Sequence, residues 1–302
     1  MPRQLAGLAA ALASVVALAT CSGSSPSGPT PGGGDNPTPI ATTATVYAAG
    51  DIGECGFGAL DTGSLLDRLP GGYILALGDL AYMHGTAANF RDCYDPAWGR
   101  HLDRTRPVPG NHEYENPQRD ARDYFDYFGD LAGPRGLGYY AYSAGPWRII
   151  ALNSELPHEA GSAQVAWLRT ELSVNRAQCT LAYWHRPLFT SGPNGDNPDT
   201  RFLWSTLIEF GAEVVLNGHD HMYERFERQN AQGALDSVNG MRQFTVGTGG
   251  AHSYSPVTQK PNSVVRGSAY GVLVLTLLNG SYQWDFASTN NSFRDTGSGG
   301  CH

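Results

Sequence analysis

The chain has 302 residues, 41% of them hydrophobic and 16% charged, with a formal net charge of −8. That much apolar material can build one large core or two modest ones, which excludes a structural peptide and a disordered chain. A single lysine, Lys260, and arginines scattered along the chain leave no basic stripe to follow a nucleic-acid backbone, so no nucleic-acid partner is expected. Residues 1–20 read as a signal peptide: Arg3 precedes an uncharged, Ala- and Leu-rich run over 5–19 that is too short for a comfortable membrane span. Ala17-Leu18-Ala19 fits a cleavage site for secretion, whereas Leu18-Ala19-Thr20-Cys21 fits a lipoprotein signal with Cys21 as a lipid anchor. Both readings stand. No second apolar run of about 20 residues follows, so no transmembrane span is expected. Residues 21–43 form a Pro/Gly/Ser-rich tether with almost nothing to bury.

From residue 44 onward, short β-type runs alternate with helical patterns. Apolar runs at 45–49, 73–77, 106–109, 147–152, 181–184, 214–216 and 244–246 predict buried strands. Between them, apolar residues three and four apart predict helices over 59–69, 87–102, 118–128, 164–174 and 201–210. Runs at 272–278 and 282–286 flank Asn279-Gly280, a strong hairpin signal that closes the sheet with antiparallel strands. The fold class is α/β, in one domain spanning 44–302. In an exported chain the four cysteines after Cys21 suggest two disulfides, with three pairings open and Cys55 with Cys93 and Cys179 with Cys301 favoured.

Five of the predicted strands end in side chains able to bind metal. These are Gly50-Asp51-Ile52-Gly53, Gly78-Asp79-Leu80-Ala81-Tyr82, Gly110-Asn111-His112-Glu113, Trp184-His185-Arg186 and Gly218-His219-Asp220-His221. Loops leaving the carboxyl ends of strands in an open α/β sheet line one crevice, so residues distant in sequence can meet there. The glycines before Asp51, Asp79, Asn111 and His219 are expected to let the backbone turn sharply and come close to the cluster. Each residue alone has an ordinary structural explanation, as a turn or cap aspartate, a half-buried tyrosine or a turn-forming asparagine. Five blocks in order on strand ends do not.

In that order, D-x-G, G-D-x-x-Y, G-N-H-E, a strand-end histidine and G-H-x-H resemble the metal-binding blocks of the purple acid phosphatases, within the calcineurin-like metallophosphoesterases. Gly53 stands where most of the superfamily has a histidine, and Tyr82 offers the replacement ligand; that exchange points to the purple subgroup. The resemblance implies a four-layer sandwich of two mixed β-sheets flanked by helices, in a minimal single-domain form with the metal site at strand C-terminal ends. It implies Asp51, Tyr82 and His221 on a first metal, Fe(III), and Asn111, His185 and His219 on a second, divalent one (Zn, Fe or Mn), with Asp79 bridging. Phosphate monoesters of small substrates would be hydrolysed by in-line attack of a metal-bound hydroxide, His112 acting as the catalytic residue on the phosphoryl or leaving group. Arg186 and His252 are candidate substrate-binding residues, and Glu113 and Asp220 are expected to support ligands by hydrogen bonds. Phosphodiesterase or nucleotidase action on the same site, and a surface-tethered metal-binding protein without turnover, are the alternatives.

Overall fold

The computed structural model describes residues 42–302 apart from Phe57 and Pro70, so the signal and the tether up to residue 41 lie outside the described residues. Thirteen strands form two mixed sheets. In the first, β1 (Thr43–Ala49), β2 (Tyr73–Leu77) and β3 (Thr105–Val108) run parallel, and β11 (Gly271–Leu278), β12 (Ser281–Ser288) and β13 (Thr296–Gly300) extend it antiparallel beyond β1. In the second, β5 (Trp147–Ala151), β6 (Cys179–Tyr183), β7 (Val214–Asn217) and β9 (Arg242–Val246) are parallel. Antiparallel β4 (Tyr140–Ala144) lies on one edge, β8 (Tyr223–Phe226) and β10 (Ser263–Gly267) on the other.

The period-2 alternation of the second sheet explains how the layers stack. Ile149, Leu181, Val214, Leu216 and Phe244 point into a core shared with the first sheet, whereas Ile150, Ala182, Trp184 and Val215 belong to a separate core. That second core is closed by Val165, Leu168 and Leu172 of α5 (Ala163–Val174) and by Leu203, Trp204 and Leu207 of α6 (Arg201–Glu209). Helices α1 (Ala59–Asp67), α3 (Asp95–Trp98) and α4 (Arg122–Phe128) place Leu66, Trp98 and Phe125 in the core of the first sheet, and Phe90, directly after the short α2 (Ala87–Asn89), joins them. Ser162 caps α5 by accepting from Val165 N.

The helical segment expected over 87–102 is broken. Thr86 and Asn89 form a capping box, but after α2 the chain makes a π-helical turn over Phe90–Tyr94, then α3, then a 3-10 turn over Gly99–Arg104. Pro96 lacks the N–H that a continuous helix would direct at residue 92, and Cys93, inside the π-helical turn, is bonded to Cys55. The helix expected from 118 begins at Arg122, because the Asn116 side chain donates to the Asp120 carboxylate and accepts from the Asp120 backbone N–H in a competing turn. Both disulfides have the favoured pairing, Cys55–Cys93 and Cys179–Cys301. The Asn279-Gly280 hairpin is present, Gly280 taking φ +73° as Leu278 faces Ser281.

Candidate metal centre

All five polar blocks lie at the carboxyl ends of parallel strands, β1, β2 and β3 in one sheet and β6 and β7 in the other, so the centre straddles the two sheets. Backbone bonds join the loops: Gly50 N donates to Val246 O, Gly249 N to Gly50 O and Gly218 N to His185 O, each at 2.8–2.9 Å. The sharp turns fall on the polar residues themselves, Asp51, Asp79 and His219 having φ of +59°, +51° and +74°. Of the four preceding glycines only Gly78 is left-handed, which corrects the expectation that the glycines make the turns. Their contribution is space. A Cβ at Gly110 would lie 2.2 Å from Asp79 Oδ1, and one at Gly218 2.6 Å from Asp51 Oδ2.

The candidates gather into two groups that share one carboxylate. In the first, Tyr82 Oη lies 3.0 Å from Asp51 Oδ1 and 3.0 Å from His221 Nε2. In the second, Asp79, His185 and His219 bring one donor atom each within 4.8 Å of one another, a set able to hold a metal ion. Asp79 Oδ2 stands between the groups, 3.0 Å from His185 Nε2 and 3.5 Å from Tyr82 Oη. Carbonyls fix the rings: His185 Nδ1 meets Leu77 O at 2.9 Å and His221 Nδ1 meets His252 O at 2.7 Å, turning each Nε2 inward. Asn111 Oδ1 is buried without a protein partner, an acceptor that a cation would satisfy. Together with carboxylates, neutral imidazoles and a phenol, the donor set fits hard to borderline metal ions.

Burial and charge set the protonation states. Burial raises the Asp79 carboxyl, but the facing His185 and His112 outweigh it and hold the group below the usual carboxylate range. Burial, with His185 and Arg186 nearby, drives His219 down to about 2, leaving it a neutral donor. Tyr82 is pushed well above its ordinary value by burial and by the charges of Asp51 and Asp79, so only a strong Lewis acid would make it a phenolate. Glu113 accepts from the backbone N–H of Asp79, Leu80, Ala81 and Gly110 at 2.8–3.2 Å, tying the second and third blocks together. Burial and the charge of Asp79 raise it to about 8. Asp220 takes Thr190 Oγ1 and Asn194 N.

His112 donates its backbone N–H to Asp79 Oδ1 at 2.9 Å, and its ring lies over Tyr82 with centroids 4.5 Å apart. Its Nδ1 faces Met83 O and Glu115, leaving Nε2 toward the centre, 3.8 Å from Asp79 Oδ2. Arg186 Nη1 is 3.3 Å from His219 Nε2, while its Nε is held by Glu155 at 2.8 Å. His252 sits on the rim, paired with Glu54 at 2.8 Å. Three neighbours were not anticipated: Glu155, Glu54, and Tyr254, which stacks on His221 with centroids 4.1 Å apart. Glu155 carried a readable signal, the polar Asn153-Ser154-Glu155 burst at the end of a sixth strand. Tyr254 and Glu54 carried none.

A family profile described as Calcineurin-like phosphoesterase matches residues 44–223, more than half of the chain. Purple acid phosphatase 15 of Arabidopsis thaliana is 26% identical over 227 residues, covering 63% of this chain and 42% of that protein. The phosphoenolpyruvate phosphatase of Allium cepa is 28% identical over 280 residues, covering 79% and 57%. The chain thus spans about half the length of these curated relatives. The purple acid phosphatase PPD1 of yellow lupin seeds superposes with a TM-score of 0.69 at 17% identity, over 85% of this chain and 54% of that one, a likeness of fold.

Proposed function

Because the chain belongs to the calcineurin-like phosphoesterases, with purple acid phosphatases among its relatives, we propose that it is an exported binuclear metallophosphoesterase acting on small phosphate monoesters. In this reading residues 1–20 direct export, 21–43 tether the domain, by a lipid on Cys21 or as a free secreted chain, and 44–302 form the catalytic unit. One observation carries the proposal: the buried Asp79 carboxylate stands between an Asp51–Tyr82–His221 group and a His185–His219 group. Asp51, Tyr82 and His221 would hold a first ion, Asn111, His185 and His219 a second, and Asp79 both. Fe(III) suits the phenol-containing side and a divalent Zn, Fe or Mn ion the other. Bound there, two cations supply charge neutralisation for phosphate and an acidified water.

The protein's own groups do the rest. His112 Nε2 faces the centre and is aimed to hydrogen-bond a phosphoryl oxygen or to protonate the departing alkoxide. Arg186, held by Glu155, offers its remaining guanidinium nitrogen to phosphate. Glu113 keeps Asp79 and the Asn111 loop in register. The test pairs metal analysis with hydrolysis of 4-nitrophenyl phosphate across roughly pH 4 to 9. Turnover with about two ions per chain is expected, and Asp79→Ala should lower it by more than about a hundredfold. A metal-replete protein that hydrolyses no monoester, diester or nucleotide would leave a binding role instead.

A further inference from the structure

Beside the centre, between the end of β5 and the turn entering α6, lies a cleft of about 260 Å³ whose walls include Ser154, Glu155, His158, Arg186, Asn197 and Asp199. Arg186 joins the two features, since the guanidinium that lines the cleft also lies against His219. Every wall residue is polar, so the cleft offers an aryl or aliphatic group little to bury against.

The free hydrogen-bonding capacity is one-sided. Glu155 Oε1 accepts from Arg186 Nε at 2.8 Å and Ser154 Oγ at 3.0 Å, which leaves Oε2 as an acceptor. The Asn197 amide donates to Pro187 O and Gly195 O, leaving Oδ1 as an acceptor. His158 Nδ1 faces Leu156 O at 2.6 Å, which places the proton there and leaves Nε2 a buried acceptor without a protein partner. Asp199 is exposed, and its carboxylate has no hydrogen bond or ion pair with a described residue. Four acceptor groups therefore await donors. Two carboxylates against one guanidinium also disfavour a leaving group with its own carboxylate or a further phosphate. The volume falls below the usual range for drug-sized ligands and suits a group of about one sugar ring.

We propose that this cleft is the leaving-group subsite of the phosphoesterase centre and selects phosphate monoesters of small, uncharged, polyhydroxylated alcohols, such as sugar phosphates. Asp199, Asn197 and His158 accept the hydroxyls while Arg186 marks the phosphate end. The inference rests on the phosphoesterase reading above.

The test is the ratio of kcat/KM for glucose 6-phosphate to that for 4-nitrophenyl phosphate, which is insensitive to loss of folded enzyme. Asp199 lies on the surface, so its variants should fold. Asp199→Ala is expected to lower the ratio about tenfold, and Asp199→Asn, which keeps an acceptor oxygen, to restore most of it. A ratio that stays within about twofold of wild type overturns the subsite. Sensitivity of O-phosphoethanolamine without that of glucose 6-phosphate would make the cleft a cation site and overturn it too, as would a wild type that prefers phosphoenolpyruvate. Absence of turnover on both reference esters sinks the phosphoesterase reading itself, and this inference with it.

Discussion

Asp79 and Tyr82 are one helical turn apart in number yet adopt no helix, because Asp79 sits at φ +51° and the loop is pinned by Glu113 through three consecutive N–H groups. That pinning brings the phenol within reach of both Asp51 and His221. With its ionisation suppressed by burial and two carboxylates, the phenol keeps its proton and donates a hydrogen bond to Asp51 unless a strong cation displaces that proton. An iron-loaded protein is therefore expected to show a broad visible absorption from phenolate-to-Fe(III) charge transfer, and Tyr82→Phe, which keeps the ring, should abolish it. A band unchanged in Tyr82→Phe would show that the phenol is not a ligand. The residues that gather at this centre could be picked out from the chain because each block places a metal-capable side chain at a strand end, and the shared position of Asp79 was implied by the resemblance of those blocks to the purple acid phosphatases. Glu54 and Tyr254 could not, since nothing in E-C or S-Y distinguishes a residue at the rim of a centre from one on any loop.

At the level of elements, a strand was readable only where it carried its own apolar signal. Val214–Asn217 and Trp147–Ala151, buried on both faces, announce themselves. Strand β13, Thr-Gly-Ser-Gly-Gly, does not; it exists because β12 offers an edge and because two aromatic rings occupy the space its side chains would take. A Cβ on Gly297 would meet the Trp284 indole at 2.2 Å, and one on Gly299 would meet the Tyr282 ring at 2.5 Å. Trp284 cannot easily yield, since its Nε1 donates to buried Asp295 at 3.2 Å and its ring lies under Arg225 and Arg242. Gly297→Ala should thus destabilise the protein by about 1–3 kcal/mol through overpacking. Gly300→Ala, with nothing within 4 Å of the new methyl, is the matched control and should change stability by less than about 0.5 kcal/mol. Thermal unfolding followed by circular dichroism separates the two, and equal shifts would refute the packing account.

Over the whole domain the two disulfides act at opposite ends of the sheets. Cys179–Cys301 closes 122 residues of chain between the entry of β6 and the segment after β13, at the far end of β6 from His185. Cys55–Cys93 closes 38 residues and lies beside the centre: Glu54, its neighbour, holds His252 through both backbone N–H and ring, and the His252 carbonyl orients His221. Each bridge should contribute ~2–4 kcal/mol, chiefly by restricting the unfolded chain. Stability and activity should nevertheless separate. Cys179→Ala with Cys301→Ala should lower Tm by roughly 5–15 °C and keep kcat/KM near wild type. Cys55→Ala with Cys93→Ala should lower Tm similarly and also weaken metal retention and kcat/KM by about tenfold, because the chain from Glu54 to His221 loses its anchor. If both double variants kept full activity, the Glu54–His252 contact would not position His221; if both lost it equally, the bridges would support the fold as a whole and neither would bear on the centre.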